Sequence, residues 1–305
     1  MLILQIMYFE AYCKLTVIYA NIEKMSLDWF IMKTITSRLK IGADKSFEII
    51  HISDTHITFA DERNEERKIA LAKDRANCFP EAQKVLTEAC RTAKERNAVI
   101  MHTGDLIDFV SFANFDAVKK LTDENDLFMA AGNHEFSHYL GEAKEDAAYR
   151  NLSLDMVQRS FRNNIRMASR IINGINFVAL DNGYYLFEPE QLDFLKAEVQ
   201  KGLPVVLLIH TPLFAQELYD ICMQKWDNAY LAGVPEELMQ CYPPDRYEQQ
   251  KADSTTLETI KYISEQKNIK AILTGHLHFT YEGLFAGKIP QLINGCTDIR
   301  IIEIY

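Results

Sequence analysis

An α/β fold is what this chain predicts, and three observations predict it. Short apolar runs rich in β-branched residues recur along the sequence, as buried strands do. Charged or amphipathic stretches of helical length separate them. Several of the runs end in Asp, Asn or His, and in open α/β sheets ligands collect beyond the carboxyl ends of the strands.

Taken in order, the chain opens on MLILQIMYFEAYCKLTVIYA, an apolar stretch interrupted by Glu10 and Lys14 with no basic segment before it. That is neither a good signal peptide nor a good membrane span, and no stable membrane insertion is expected. Met25 and Met32 are alternative starts. Residues 26–40, SLDWFIMKTITSRLK, predict an amphipathic helix, with Ser26 as cap, Asp28 in the first turn and Lys33, Arg38 and Lys40 toward the end. Residues 1–45 therefore read as a helical extension and 46–305 as the main domain. Strands are expected within FEIIHISD (47–54), AVIMHTGD (98–105), LFMAAGNH (127–134), INFVALDN (175–182), PVVLLIH (204–210), KAILTGH (270–276), QLINGC (291–296) and IRIIEIY (299–305). Helices are expected in 61–96, broken at Pro80, and in DAVKKLTDE, DAAYRNLSLDMVQRSF, EPEQLDFLKAEVQ and TTLETIKYISEQ. Residues 213–252, holding Trp226, Tyr230, Tyr242 and Tyr247, depart from this rhythm. They read as a lid-like insertion whose aromatics pack within it.

Composition narrows the function. The chain has 305 residues, 48% hydrophobic and 25% charged, an ordinary globular balance. Its formal net charge of -10 does not suit the phosphate backbone of nucleic acid. A phosphate substrate would have to find positive charge locally. The six cysteines form no C-x-x-C pair, which fits a reducing, cytoplasmic setting and not a structural zinc module.

The strand ends carry the chemistry. They bring Asp54 and His56; Asp105 and Asp108; Asn133, His134 and Glu135; His210; and finally His276 and His278, which alternate in LTGHLHF so that both rings can face one spot. Five of the eight histidines lie at these ends. Carboxylates and imidazoles together suit borderline metals such as Mn, Fe or Zn. Asp54, His56, Asp105, Asn133, His210, His276 and His278 exceed the needs of one four-coordinate ion and suffice for two, with Asp105 as the natural bridge. His51 and His102 lie an odd number of residues before a ligand Asp and read as packing or supporting histidines. His138 reads as a solvated loop residue, and Asp181-Asn182-Gly183 as a turn. Asp108 either caps a helix starting near FVSF or orients His134.

The motifs D-T-H, G-D-L-I-D, G-N-H-E, H-T-P and G-H-L-H, in this order from residue 54 to 278, resemble those of the calcineurin-like metallophosphoesterase superfamily. The resemblance implies a four-layer α/β/β/α sandwich of two mixed sheets, with a binuclear metal site between loops. It implies one ion held by Asp54, His56, Asp105 and His278 and another by Asp105, Asn133, His210 and His276. His134 would sit near the substrate phosphate, oriented by Asp108. Two cations about 4 Å apart can acidify a bridging water and clamp the phosphoryl oxygens, so that the hydroxide attacks phosphorus directly.

The arginines of the protein serine/threonine phosphatase branch are missing: Phe109 and Val110 follow Asp108, and Ala131 precedes Gly132. The resemblance to small members of the superfamily favours a phosphodiester substrate, a cyclic nucleotide included, with a phosphomonoester as the alternative. A reading of a different class is a non-catalytic scaffold that uses the fold as an interaction surface; lost metal ligands would mark it, and none is lost here.

Overall fold

The computed structural model describes residues 32–141 and 145–305. Two mixed sheets face each other. The five-stranded sheet has the order β1 (Lys33–Leu39), β11 (Asp298–Ile304), β2 (Phe47–Ile52), β3 (Val99–His102), β4 (Leu127–Met129). The six-stranded sheet has the order β5 (Met167–Ile172), β6 (Ile175–Leu180), β7 (Val205–Leu208), β8 (Ile269–Thr274), β10 (Ile289–Ile293), β9 (Tyr281–Phe285). Strands β2, β3 and β4 are parallel, as are β6, β7, β8 and β10, so the ends that carry the motifs open on the same rim of each sheet.

Side-chain alternation explains the layering. Ile49, Met101 and Phe128 of the first sheet meet Phe177, Val206, Leu208, Ala271 and Leu273 of the second in a buried core. On the outer face of the first sheet, Ile50, Ile52 and Ile100 pack against α2 (Ala82–Arg96) and α3 (Phe112–Glu124). On the outer face of the second, Val178, Leu180, Leu207 and Ile272 pack against α6 (Pro189–Gln200) and α9 (Ser254–Glu265). The layers are helix, sheet, sheet, helix. Each fully buried Ile, Leu or Val contributes about 1.5–3 kcal/mol, which is why both faces of both sheets are covered.

Every expected strand run contains a strand. Pro80 separates α1 (Glu66–Cys78) from α2, and Asn97 ends α2 in the left-handed conformation at φ 50°. Ser111, not Asp108, caps α3 by accepting from Asn114 N at 3.0 Å. DAAYRNLSLDMVQRSF divides into α4 (Ala147–Asn151) and α5 (Leu154–Ser160). Residues 213–252 hold α7 (Gln216–Lys225), a 3-10 turn at Glu236–Cys241 and α8 (Pro244–Gln250). Among the described residues no helix is long and apolar enough to cross a membrane.

The helix expected over 26–40 is corrected. Residues 33–39 form β1, paired in parallel with β11 from Lys33↔Asp298 to Leu39↔Ile304; the remainder of the expected helix before Met32 lies outside the described residues. Thr34, Ile35 and Thr36 are β-branched and stiff at χ1, and the open edge of the Ile-rich β11 supplies their partner. Ser37 and Leu39 turn inward and are buried. Strands β5 and β9 were not expected either. Both are edge strands with few buried residues, so the apolar signal is thin there.

Candidate metal centre

Two loops leave β2 and β3 side by side. Asp54 N donates to Gly104 O (3.0 Å), His56 N to Asp105 O (2.9 Å), and parallel pairing resumes at Ile57↔Ile107. Between those points the backbone is forced out of strand geometry. Asp54, His56, Asp105, His276 and His278 all adopt positive φ, between 44° and 69°. For non-glycine residues this costs of order 1–3 kcal/mol each and clusters at functional sites. Glycines make room for it. A methyl group on Gly275 would overlap Ser53 Oγ and Asp54, and one on Gly132 would overlap Asp105.

The strained loops gather donor atoms. Asp54, His56, Asp105 and His278 form one group, and Asp105, His210 and His276 another, each with potential ligand atoms within 4.8 Å of one another. His56 Nε2 lies 3.1 Å from His278 Nε2, and His276 Nδ1 lies 3.1 Å from His210 Nε2. Asp105 belongs to both groups. Its Oδ1 accepts from His134 N (2.9 Å), while Oδ2 is 3.2 Å from His210 Nε2 and 3.8 Å from His56 Nε2. Asp54 accepts from His276 N at 2.9 Å, a bond that joins the two sheets.

Supporting groups orient the rings. His210 Nδ1 donates to Thr103 O (2.7 Å), His56 Nδ1 meets Asp108 Oδ1 (2.9 Å), and His276 Nε2 meets the Tyr185 hydroxyl (2.9 Å). The opposite nitrogen of each ring is thereby turned inward, the usual arrangement behind a metal-binding imidazole. Asn133 Oδ1 is buried with no hydrogen-bond partner, a desolvated acceptor that a cation would satisfy. The donor set therefore fits borderline metal ions.

Electrostatics follow from this crowding. Burial opposes ionisation of Asp54, Asp105 and Asp108. His278 nevertheless holds Asp54 low, His210 holds Asp105 low and Arg75 holds Asp108 low, all well below the usual carboxylate range. Burial lowers His56 to about 4 and His276 to about 3, so both rings are neutral at pH 7. Burial also works against charge on His210 and His134, but Asp105 outweighs it and raises them to about 9 and about 10.

Asp108 lies within reach of His134, with Nδ1 3.1 Å from Oδ1 and 2.9 Å from the Asp108 carbonyl. It also touches His56. His51 and His102 are buried and bond hydroxyls across the neighbouring strand, His51 with Thr103 (3.0 Å) and His102 with Thr55 (3.1 Å). His138 is not solvated. It is half-buried, ring against Tyr149 at 5.8 Å, because the loop after the 3-10 turn His134–Phe136 folds back on α4.

Sequence reasoning missed several supporting residues. Arg75 grips Asp108 with two bonds, Nε to Oδ2 (2.6 Å) and Nη2 to Oδ1 (2.9 Å), and Phe79 stacks on His56 at 4.0 Å. Glu135 accepts from the amides of Asp105, Leu106 and Gly132 at 2.8, 2.7 and 2.7 Å, pinning the G-D-L loop to the G-N-H loop. Asn182 does more than turn the chain: its Oδ1 accepts from His210 N and Thr211 N at 2.9 and 3.0 Å. Glu135 and Asn182 stood in quoted motifs, a signal in hindsight. Arg75 had none.

The site opens into a cavity of about 800 Å3, lined by Asp105, Asn133, His134, His276 and His278 on the floor and by residues 226–249 on the wall. The sequence matches the family model of calcineurin-like phosphoesterases over residues 47–279. The chain belongs to the calcineurin-like phosphoesterase family. It is a hydrolase of phosphoric ester bonds, in a family that uses a binuclear divalent metal centre. No curated protein matches the chain.

Similar solved structures include a dimetal phosphatase from Danio rerio, 13% identical, covering 82% of this chain and 88% of that one, TM-score 0.46. A phosphopantetheinyl hydrolase from Mycobacterium tuberculosis is 13% identical, with 81% and 89% covered and a TM-score of 0.45. A 5'-nucleotidase from Candida albicans is 13% identical, with 86% of this chain and 47% of that one covered, TM-score 0.39. Membership of this phosphoesterase family rests on the sequence match, not on these distant likenesses.

Proposed function

We propose that this phosphoesterase hydrolyses a small phosphodiester, a cyclic nucleotide being the first compound to try. In this reading Asp54, His56, Asp105 and His278 hold one ion, and Asp105, Asn133, His210 and His276 hold a second, each Mn, Fe or Zn. The observation that carries it is the convergence of Asp54, His56, Asp105, His276 and His278 in the left-handed conformation at one spot. Bound metals would supply Lewis acidity and a water of lowered pKa.

The protein's own part is proton transfer and positioning. His134, held at Nδ1 by Asp108, is placed to offer its Nε2 proton to the leaving alkoxide oxygen. When the P–O bond of an alkyl ester breaks, its oxygen departs as a poorly stabilised alkoxide, so an acid there matters. Arg75 holds Asp108 still while it supports both His134 and His56. The cavity of about 800 Å3 is large enough for a small phosphodiester. Residues 213–252 act as its lid, and the free cysteines among the described residues support a cytoplasmic setting.

The test is hydrolysis by manganese-loaded protein of bis-nitrophenyl phosphate against nitrophenyl phosphate, with Asp105→Ala as control. Preference for the diester with a dead control supports the reading. Preference for the monoester makes the enzyme a phosphomonoesterase, and an active control removes the site assignment.

A further inference from the structure

The cavity wall contributed by residues 226–249 is not used by the chemistry above, and one side chain in it stands apart. Among the described residues lining the cavity, Arg246 is the one Lys or Arg. It lies in the first turn of α8. Its guanidinium offers five N–H donors. Nη1 donates to Gln249 Oε1 (2.9 Å), and Nε is 3.8 Å from Asp245 Oδ2, a carboxylate whose side chain is 77% exposed and which is therefore mostly screened by water. Most of the fork is left for something else.

Arg246 is held from two sides, and each support leads back to a candidate metal ligand. Gln249 Nε2 donates to Glu145 Oε2 (2.7 Å), and Glu145 lies close to the side chain of Asn133. On the other side the guanidinium lies over the ring of Tyr230 (5.8 Å), and that ring meets His276 edge-on at 6.0 Å. Tyr230 is itself fixed in the left-handed conformation, φ 53°.

We infer that Arg246 is the specificity-determining residue of the insertion and that it binds an anionic oxygen group of the substrate, either the phosphoryl under attack or a second acidic group on the same molecule. This rests on the phosphoesterase reading of the neighbouring site. A planar two-pronged guanidinium matches phosphate or carboxylate, where an ammonium would act as a point charge. Among the described residues, the opposite choice, a cationic substrate arm, finds less to receive it. Asp245 and Glu248 are exposed, and Glu145 already accepts from Gln249. Aromatic faces of the lining are taken too: Tyr230 faces Arg246, and Trp226 faces Lys225 at 6.0 Å.

The test is calorimetric titration of manganese-loaded full-length protein with methylphosphonate and with phosphonoacetate, which adds a carboxylate. Wild type, Arg246→Gln and Arg246→Lys are compared, with metal content and Tm measured on each. Binding by Arg246→Gln is expected to weaken about tenfold or more, with Arg246→Lys between it and wild type and with metal content unchanged. Weakening for both probes assigns Arg246 to the phosphoryl group. Weakening for phosphonoacetate alone assigns it to a second acidic group. Equal affinities in all three proteins overturn the inference, as does wild type that binds neither probe. Protein that takes up no manganese or zinc removes the phosphoesterase site itself and the inference with it; metal content keeps that failure distinct.

Discussion

The two sheets contribute unlike halves to one site. The rim of the five-stranded sheet brings every carboxylate of the candidate centre, Asp54, Asp105 and Asp108, together with His56, Asn133 and His134. The rim of the six-stranded sheet brings His210, His276 and His278, steadied by the neutral Asn182 and Tyr185. Alone, the first rim is a crowd of buried negative charge and the second a set of imidazoles with nothing to bind. Only packing of the sheets lets Asp105 face His210 and Asp54 face His278. Without metal the balance is kept by protons on His210 and His134; a bound cation would take over the share of His210. The difference teaches that charge closure, and not just apolar burial, joins these two sheets.

The most damaging way to break the pairing is to remove the residue that belongs to both groups. Asp105→Ala should bring diester hydrolysis to background and lower the metal content, read by elemental analysis and bis-nitrophenyl phosphate assay. Normal turnover would show that the acidic half is not the catalytic half. His134→Gln should cut kcat by about 10²–10⁴-fold while both metals stay bound; metal loss in place of a rate loss would place His134 among the ligands. On the other sheet, Asn182→Ala frees the backbone of His210 and leaves two amides without their acceptor. Metal affinity should fall by about 10–100-fold, measured by chelator competition, and an unchanged affinity would mean that Thr103 alone fixes His210.

The smallest effect sharpens the charge argument. His210 and His134 are raised to about 9 and about 10 in the metal-free site, from about 6.5 in an unfolded chain. Raised values stabilise the fold fully below about pH 6.5, and that contribution is lost as pH climbs through about 9 and 10. Metal binding needs His210 deprotonated and so strengthens over the same range. The Tm of chelator-treated protein should therefore fall from about pH 6.5 to about pH 10 more steeply than that of manganese-loaded protein. Parallel curves would show that protons and metals do not exchange at this site.

The sequence by itself determined the α/β class, the strands of both sheets that carry motifs, and the residue types at their ends. Periodicity and β-branching are local properties, and a strand that stops at a ligand states both facts within a few residues. It misread 33–39, because a short stretch of Thr, Ile and Ser chooses strand only when an edge such as β11 is present to accept its backbone. Tertiary structure alone decided the rest. Arg75 reaches Asp108 from a charged helix that looks like a solvated surface. Glu135 gathers amides from a loop about thirty residues away in the chain. Arg246 faces a floor whose residues come from the other strands. Each of these depends on distances between segments far apart in sequence, and a one-dimensional pattern carries residue type and spacing but not the direction in which a side chain points.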